Sequence, residues 1–240
     1  MNNDNALPLS PKILVTIIDR DNSDKLEDIL REKLVRFHYM FNGMGTASSD
    51  ILKAFGLSGT EKTICVCVEP AARSSALMTS FVERLALTRP GNGIAFTLPV
   101  SGASKAISNF FASELENHKE RLFEIMDNES EKLTEAPLHE LVVAVVNQGF
   151  SDMVMDAAHS VGARGGTIIN ARRSGVEDAT KFFGITLQSE KEIVAIIVRE
   201  DQKRDLMRLL AKNCGMKTDA RGIILSIPVE SCAGINTAAQ

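Results

Sequence analysis

The length and charge of the chain set the first limits on its function. It has 240 residues, 44% of them hydrophobic, which is enough for one large domain or two of ordinary size. A formal net charge of −4 argues against a general nucleic-acid-binding surface, so any anion site has to be local. The apolar runs are too short for a membrane span, and the first residues lack the basic and apolar parts of a signal peptide. The composition therefore predicts a soluble cytoplasmic protein.

The first half of the chain predicts four strands and two helices. Short apolar runs rich in β-branched residues, which are typical of strands, occupy residues 12–19, 37–44, 62–68 and 93–100. Ser23 is a candidate N-cap, and the apolar residues that follow it recur at helical spacing: Leu26, Ile29, Leu30 and Leu34. A second helix is expected at 71–87, and a short helical turn at 51–56. The predicted order is β-α-β-β-α-β.

The second half repeats the first at a constant spacing, with one residue inserted between Phe183 and Glu190. The repeated words are Ser23-Asp24 and Ser151-Asp152, Phe55-Gly56-Leu57 and Phe183-Gly184-Ile185, and Leu98-Pro99-Val100 and Ile227-Pro228-Val229. The repeat predicts strands at 141–147, 167–171, 192–198 and 222–228. Helices are expected from Ser151 to a glycine terminator at Gly162, and at 202–213.

Four strands with two helices on one face make a split β-α-β unit, so the sequence predicts an α+β fold of two tandem ferredoxin-like (βαββαβ) domains joined by a helical linker. The domains are expected at 12–107 and 138–236. The linker, 108–137, begins with an amphipathic helix over 107–126, which we expect to pack on its own domains rather than on a partner or a membrane. Each sheet keeps one face that its own helices leave uncovered. Strand 192–198 lacks polar alternation, which favours oligomerisation through these faces.

Two residue classes that often carry chemistry have weak patterns here. Cys65 and Cys67 alternate with valines on one strand, so they are interpreted as core residues rather than as a metal or redox pair. The four histidines show no metal-ligand spacing with cysteines or carboxylates: His38, His118, His139 and His159. A catalytic cluster on one helical face, made of Asp152, Asp156 and His159, lacks an accompanying nucleophile, and a solvent-exposed role is the favoured interpretation.

The stretch 162–175 is the strongest functional signal, because it holds several glycines and arginines at the junction of a helix and a strand. Successive backbone N–H groups in glycine-rich turns form a concave anion nest, and arginines add charge-assisted contacts to phosphate. The alternative is that the glycines serve a tight connection while the arginines are solvated or pair with Glu177 and Asp178. Both interpretations stay open at the level of sequence.

The chain resembles the P-II nitrogen-regulatory protein family over residues 141–236, and more faintly over 12–107. The resemblance rests on three stretches in this order: 165–175 (Gly-Gly-Thr-Ile-Ile-Asn-Ala-Arg-Arg-Ser-Gly), 191–198 (Lys-Glu-Ile-Val-Ala-Ile-Ile-Val) and 222–230 (Gly-Ile-Ile-Leu-Ser-Ile-Pro-Val-Glu). In the first copy, residues 88–96 are similar to the family's glycine-containing loop before the last strand.

This resemblance implies a trimeric signalling protein rather than an enzyme. Family members sense adenine nucleotides, and often 2-oxoglutarate, in clefts between neighbouring domains, and a long loop after the second strand docks onto transporters or enzymes. No cofactor is required, and ATP, ADP, AMP or a related nucleotide would be the effector. By position, the loop base and its start would comprise Gly165, Gly166, Thr167, Ile168, Asn170, Arg172, Arg173, Ser174 and Gly175. The facing loop would comprise Thr218, Asp219, Arg221 and Gly222 in the second copy, and Thr88, Arg89, Gly91, Asn92 and Gly93 in the first.

The chain departs from the family pattern at two places. Ile94 and Ile223 stand where the family loop supplies a lysine to the phosphates, and the basic residues expected after the last strand are missing. The loop at 176–181 is shortened and holds no tyrosine for covalent modification. A ligand-free oligomeric interaction module is therefore the main alternative, and a divalent-cation-binding protein of the same architecture is the weaker one.

Symmetry predicts the oligomer. If three ferredoxin-like domains are needed to bury the sheets, a two-domain chain closes most simply as a trimer of six domains.

Overall fold

The computed structural model describes residues 10–46, 60–117, 139–172, 181–182, 185–186 and 190–235. Within this part of the chain the fold is α+β, as predicted, with five α-helices and antiparallel strand pairs. The predicted turn at 51–56 and the second half of the predicted linker helix lie outside the described residues.

The elements follow the predicted order, with three short strands in addition that were not predicted: Lys181–Phe182, Ile185–Thr186 and Ser231–Ala233. In chain order they are β1 (Pro11–Asp19), α1 (Ser23–Glu32), β2 (His38–Gly45), β3 (Thr60–Pro70), α2 (Ala71–Arg84), β4 (Gly93–Pro99), α3 (Lys105–Asn117), β5 (His139–Asn147), α4 (Ser151–Ser160), β6 (Thr167–Arg172), β7 (Lys181–Phe182), β8 (Ile185–Thr186), β9 (Glu190–Arg199), α5 (Glu200–Cys214), β10 (Ile223–Val229) and β11 (Ser231–Ala233).

The chain forms two compact units, and neither is one continuous stretch. Unit 1 comprises Met1–Phe41, Thr63–Pro137 and Val229–Gln240, and unit 2 comprises Asn42–Lys62 and Leu138–Pro228. The predicted domains, 12–107 and 138–236, differ from these units at two places. Residues 42–62 were expected in the first domain but belong to unit 2, and residues 229–236 were expected in the second domain but belong to unit 1. The tandem arrangement of two consecutive domains therefore stays a prediction.

In unit 1 the strands lie in the order β2-β3-β1-β4-β11. The first four have the order expected of a split β-α-β unit. Helix α1 places Leu26, Ile29 and Leu30 in the core, and α2 adds Leu77, Met78 and Phe81. The core residues recur three and four positions apart along each helix, which puts them on one face. Leu34, predicted to continue α1, instead lies past its end with φ 57°.

In unit 2 the strand order is β10-β5-β9-β6, and the last two residues of β2 pair with β6. Strand β9 alternates between buried Val194, Ile196 and Val198 on the helix side and half-buried residues on the other side. Helices α4 and α5 cover the first side, through Val154 and Leu206 among others. Strand β10 presents Ile224 to this core, so its neighbours Ile223 and Leu225 point to the opposite side, where they are 49% and 53% exposed.

Strand β11 was not predicted, because three residues carry no periodic pattern. It pairs antiparallel with β4, with Ser231 opposite Thr97. The Thr97 and Ser231 hydroxyls are 2.7 Å apart, and the Glu230 N–H donates to the Thr97 carbonyl oxygen at 3.0 Å. Lys12 adds an ion pair to Glu230 at 2.7 Å. The edge of β4 in unit 1 is thus paired by a short return of the chain.

None of the helices in the described residues is long and apolar enough to cross a membrane.

The start of α4 binds a buried carboxylate from β9. Glu192 is 9% exposed, and its Oε2 atom accepts a hydrogen bond from the Ser151 N–H at 3.0 Å. The first N–H groups of a helix have no partner within the helix, and the helix dipole favours a negative charge there. The contact fixes the start of the helix against β9, an inner strand of the sheet.

Replacing this carboxylate should destabilise unit 2. We expect Glu192→Ala to lower the free energy of unfolding by about 1–3 kcal/mol, because the Ser151 N–H loses a charged acceptor. Urea unfolding measures the change. Glu190→Ala, in the same strand but exposed, is the matched control and should stay within about 0.5 kcal/mol of the wild type. Equal losses in the two variants would contradict this role of Glu192.

Candidate anion-binding site

The predicted anion cradle at 162–175 is spread along the whole of β6. Gly165 and Gly166 precede the strand, and Arg172 ends it. Because an extended strand rises about 3.3 Å per residue, Thr167 and Arg172 lie about 17 Å apart. The two glycines and the arginine therefore do not converge on one small anion. Arg173, Ser174 and Gly175 lie outside the described residues.

Gly166 uses its backbone polar groups within unit 2. Its N–H donates to the Thr46 hydroxyl at 2.7 Å, and its carbonyl accepts from the Thr46 N–H at 2.9 Å. A Cβ atom at this position would lie 3.0 Å from both the Ala195 carbonyl oxygen and the Met155 sulfur. These contacts support the structural interpretation of this glycine, in which it serves a tight connection.

The helix end before β6 is as predicted. Gly162 has φ 86°, a left-handed conformation that ends α4, and the Gln202 side chain donates to the Val161 carbonyl oxygen at 3.0 Å beside it. Along β6, Thr167 is buried, Ile168 packs against the helix-side core, and Asn170 and Arg172 are exposed.

The loop before β10 is also closed by its own hydrogen bonds. The N–H groups of Thr218, Arg221 and Gly222 donate to carbonyl oxygens of Gly215, Thr218 and Cys214, at 2.8–3.1 Å. A Cβ atom on Gly222 would lie 2.1 Å from the Cys214 carbonyl oxygen, so a glycine is required there. Asp219 is exposed, and Arg221 has φ 48° with its guanidinium donating to the Met216 carbonyl oxygen at 3.2 Å.

The corresponding loop in unit 1 has similar internal bonding. The Asn92 side chain donates to the Ala86 carbonyl oxygen at 3.1 Å, and the Arg89 N–H donates to the same oxygen at 3.0 Å. Gly91 and Gly93 have φ 88° and 125°, and a Cβ atom on Gly93 would lie 2.3 Å from the Ile17 carbonyl oxygen. Thr88 and Arg89 are exposed.

An additional polar cluster lies where the loop of unit 2 meets the sheet. Asn147, the last residue of β5, donates from its side chain to the Asp219 carbonyl oxygen at 2.8 Å, and its N–H donates to that of Ala220 at 2.8 Å. Lys191 Nζ donates to the Asn147 Oδ1 atom at 2.5 Å. Asn147 and Lys191 were not predicted as site residues, although a lysine and an asparagine at the polar ends of two apolar strands were a usable signal.

The strand register assigns the charged side chains of this sheet end to two sides. Lys191 pairs with Asn147 and lies on the side opposite the helices, whereas Arg172 pairs with Glu190 and shares the helix side with Ile168. Arg172 is well exposed and lies 4.0 Å from the Glu190 carboxylate. Of the two, it is thus Lys191 that lies beside the loop before β10.

The remaining candidate residues do not form a reactive cluster. Asp152, Asp156 and His159 are all exposed on α4. Among the described residues, no three histidine, cysteine or acidic side chains come together as metal ligands; His118 lies outside them. His38 contacts the Val35 carbonyl oxygen at 3.2 Å, and His139 is buried.

The cysteines of β3 are core residues, as predicted. Cys65 and Cys67 are fully buried, with their sulfurs 3.6 Å apart. The Cys65 thiol and burial raise the pKa of Cys67 above its ordinary value, and burial raises the pKa of Cys232 to about 12. Because the thiolate is the reactive form, a raised pKa lowers the reactivity of both thiols at neutral pH.

Comparison with known proteins adds resemblances of fold only. No protein-family model matches the chain, and no curated protein matches it. Among solved structures, it is similar to a PII protein of Arabidopsis thaliana bound to citrate, with 21% identity over 41% of this chain and 81% of that one and a TM-score of 0.30. It is also similar to an unknown protein from Galdieria sulphuraria, with 12% identity over 92% and 98% of the two chains and a TM-score of 0.28. A microcompartment protein from Desulfitobacterium hafniense matches with 10% identity over 92% and 95%, at a TM-score of 0.27.

The bonding of Gly166 can be tested directly. Thr46→Val removes the hydroxyl that accepts from the Gly166 N–H, and we expect it to cost about 1–3 kcal/mol because a half-buried donor loses its partner. Amide hydrogen exchange at Gly166 should become faster. Thr46→Ser keeps the hydroxyl and should retain most of the protection. Unchanged exchange in the valine variant would show that the Gly166 N–H is satisfied in another way.

Proposed function

We propose that this protein is a PII-like regulator without enzymatic activity, which senses an anionic metabolite or adenine nucleotide and controls a partner protein such as a transporter or an enzyme of nitrogen metabolism. The observation that carries the proposal is the arrangement of side chains at one end of the unit 2 sheet, where β5 ends and β9 begins. There a half-buried lysine, Lys191, is held beside the loop before the last strand, next to the start of a long connection between the second and third strands.

The chemistry of this end fits an anion on the side of the sheet away from the helices. Lys191 supplies an ammonium group that the facing loop lacks, since isoleucine stands at position 223. Arg221 lies in the same loop and is half-buried. Charge-assisted hydrogen bonds from such groups to phosphate or carboxylate are stronger than those between neutral groups. Lys191 is fixed by Asn147, so it is already positioned before a ligand arrives.

The connection 173–189 supports a role in signalling. Connections longer than about 15 residues are uncommon inside compact domains and are often functional. This connection follows the exposed Arg172, and its described residues include the antiparallel pair β7 and β8, in which Lys181 lies opposite Thr186. The mechanism we propose is differential binding: the ligand stabilises one of two conformations of the connection, and the partner binds only one of them.

A homotrimer is part of the proposal. Ile223 and Leu225 are about half exposed on the side of the unit 2 sheet that α4 and α5 do not cover. Half-buried Val143, Val145 and Ile193 lie on the same side. An apolar sheet face of this kind is suited to burial against another protein surface, and a trimer closes with cyclic symmetry.

A ligand-free interaction module is the second candidate. It is favoured by the internal bonding of the predicted nests, since Gly166, Thr218, Arg221 and Gly222 all donate their backbone N–H groups within the chain. In that case only side chains would remain to recognise an anion.

Calorimetry can decide between the two candidates. The protein is titrated with ATP, ADP, AMP, cyclic dinucleotides, 2-oxoglutarate and citrate, each with and without Mg²⁺. We expect one of these to bind, and Lys191→Met to weaken its affinity at least tenfold, which is about 1.4 kcal/mol. Arg208→Ala, an exposed arginine on α5, is the control and should bind as the wild type does.

The Arg172→Ala variant tests whether the ligand site also includes the base of the loop after β6. Unchanged affinity would confine the ligand to the side of the sheet that carries Lys191, whereas a loss would extend its site to the loop base. No heat with any ligand would remove the sensing function and leave the interaction module.

The oligomeric state has its own test. Size-exclusion chromatography with light scattering should give three times the 26.1 kDa chain mass. Leu225→Glu places a charge on the apolar sheet face, so we expect it to dissociate the trimer. Lys217→Glu, in the exposed loop nearby, should not. A monomeric wild type would overturn the trimer.

A further inference from the structure

Unit 1 contains a buried ionic cluster that the proposed function does not use. Glu69, the last residue but one of β3, is 2% exposed, and its Oε2 atom forms an ion pair with Arg73 Nη1 of α2 at 3.0 Å. This contact is an ion pair only, because no described group donates a hydrogen bond to this oxygen. Arg73 itself is 7% exposed and donates to the Lys33 carbonyl oxygen. A carboxylate so deeply buried is costly unless its partners remain in place.

Helix α3 closes the cluster from one side. Phe110 and Phe111 pack edge-on against Phe37, with ring centroids 4.9 and 6.3 Å apart, and Phe111 is 3% exposed. One turn further along, Glu114 forms an ion pair with Arg36 at 3.6 Å. These side chains, with Glu69, Pro70 and Arg73, line a cavity of about 10 Å³, which is at the lower limit for holding even one water molecule.

The contacts of α3 oppose the ionised form of Glu69 in two ways. Its phenylalanines exclude water from the carboxyl group, and Glu114 brings a second negative charge to it. Burial, with a smaller contribution from Glu114, raises the pKa of Glu69 to about 7, while Arg73 opposes the rise. Among the residues that the structure describes, the charged and titratable groups around Glu69 are Arg73 on α2, Glu114 on α3, Arg36 before β2 and the buried thiol of Cys67 on its own strand.

We propose that α3 is a proton-controlled strap, which is held closed over Glu69 when this carboxyl is neutral and loosens when it ionises. When both glutamates are ionised, their charges equal those of Arg36 and Arg73 in number. The negative charge of Glu69 then lies in a cavity that is nearly free of water, which is unfavourable. Moving α3 away admits water and removes Glu114, and both changes favour the carboxylate.

The sign of the pH dependence follows from linkage. Glu69 binds its proton more tightly with α3 closed than with α3 open, where its pKa returns toward the ordinary 4.5. The closed form therefore loses stability relative to the open form as pH rises from about 4.5 through about 7, and the effect levels off above that. Between pH 6 and pH 8 the opening constant should rise by about tenfold.

Hydrogen exchange of α3 as a function of pH is the test. Exchange rates of the full-length protein, corrected for the intrinsic pH dependence of amide exchange, give the opening constant of Lys105–Asn117, with α5 as an internal reference. Glu69→Gln replaces the carboxyl by a neutral amide, so we expect the opening constant of α3 to be constant between pH 6 and pH 8. Glu114→Gln should reduce the pH-dependent rise, and Glu116→Gln, an exposed glutamate on the same helix, should match the wild type.

Two results would overturn the strap. One is a pH-dependent rise of the same size in Glu69→Gln as in the wild type. The other uses the unmodified protein and holds even if that variant fails to fold: ¹³C NMR of the glutamate carboxyl groups would show Glu69 titrating below pH 5 with α3 in place. A titration near pH 7 that disappears in Glu69→Gln supports the proposal.

Discussion

The pairing of exposed strand edges is the constraint on which the rest of this structure depends. A four-stranded split β-α-β sheet leaves unpaired N–H and C=O groups on both outer strands, and such edges are sites of uncontrolled association. Here two short segments address this. Ser231–Ala233 pairs with the outer strand β4 of unit 1, and the end of β2 pairs with β6 of unit 2. Both segments are distant in sequence from the strands that they cover, which explains why each compact unit is built from separate stretches of chain.

The need of backbone N–H groups for hydrogen-bond partners also determines whether the glycine-rich stretches can bind an anion. A nest binds an anion only while its backbone N–H groups lack partners, and the N–H of Gly166 is occupied by Thr46, a residue brought to it by the edge pairing of β2. Edge pairing thus competes directly with anion binding at this glycine. The recognition that we propose relies instead on side chains, with Lys191 held by Asn147 at the other end of the sheet.

The buried carboxyl groups of the two units have different surroundings. In unit 2 the buried Glu192 accepts from the start of a helix, and Glu140 is held by Lys203 at 2.6 Å and by the Ser226 hydroxyl. Burial acts to raise the pKa of Glu140, but the Lys203 and Ser226 contacts together outweigh it and keep this pKa below its ordinary value. In unit 1, Glu69 has an arginine beside it but lies in a cavity closed by phenylalanines, so its proton affinity is raised. The difference is one of solvation: a carboxyl group needs several hydrogen-bond donors to remain ionised away from water.

The sequence by itself determined the α+β class and most of the strands and helices, but not the short strands β7, β8 and β11. It could do so because β-branched runs, helical spacing and a terminating glycine such as Gly162 act locally. It also marked Cys65 and Cys67 as core residues, since strand alternation points both to one side. Only the tertiary structure decided which groups meet: Thr46 with Gly166, Lys191 with Asn147, and Glu114 with the cavity of Glu69. Such contacts depend on strand register and on which edge a distant segment pairs with, and no local pattern encodes either. For this reason the glycine-arginine stretch, continuous in sequence, is divided between the two ends of one extended strand.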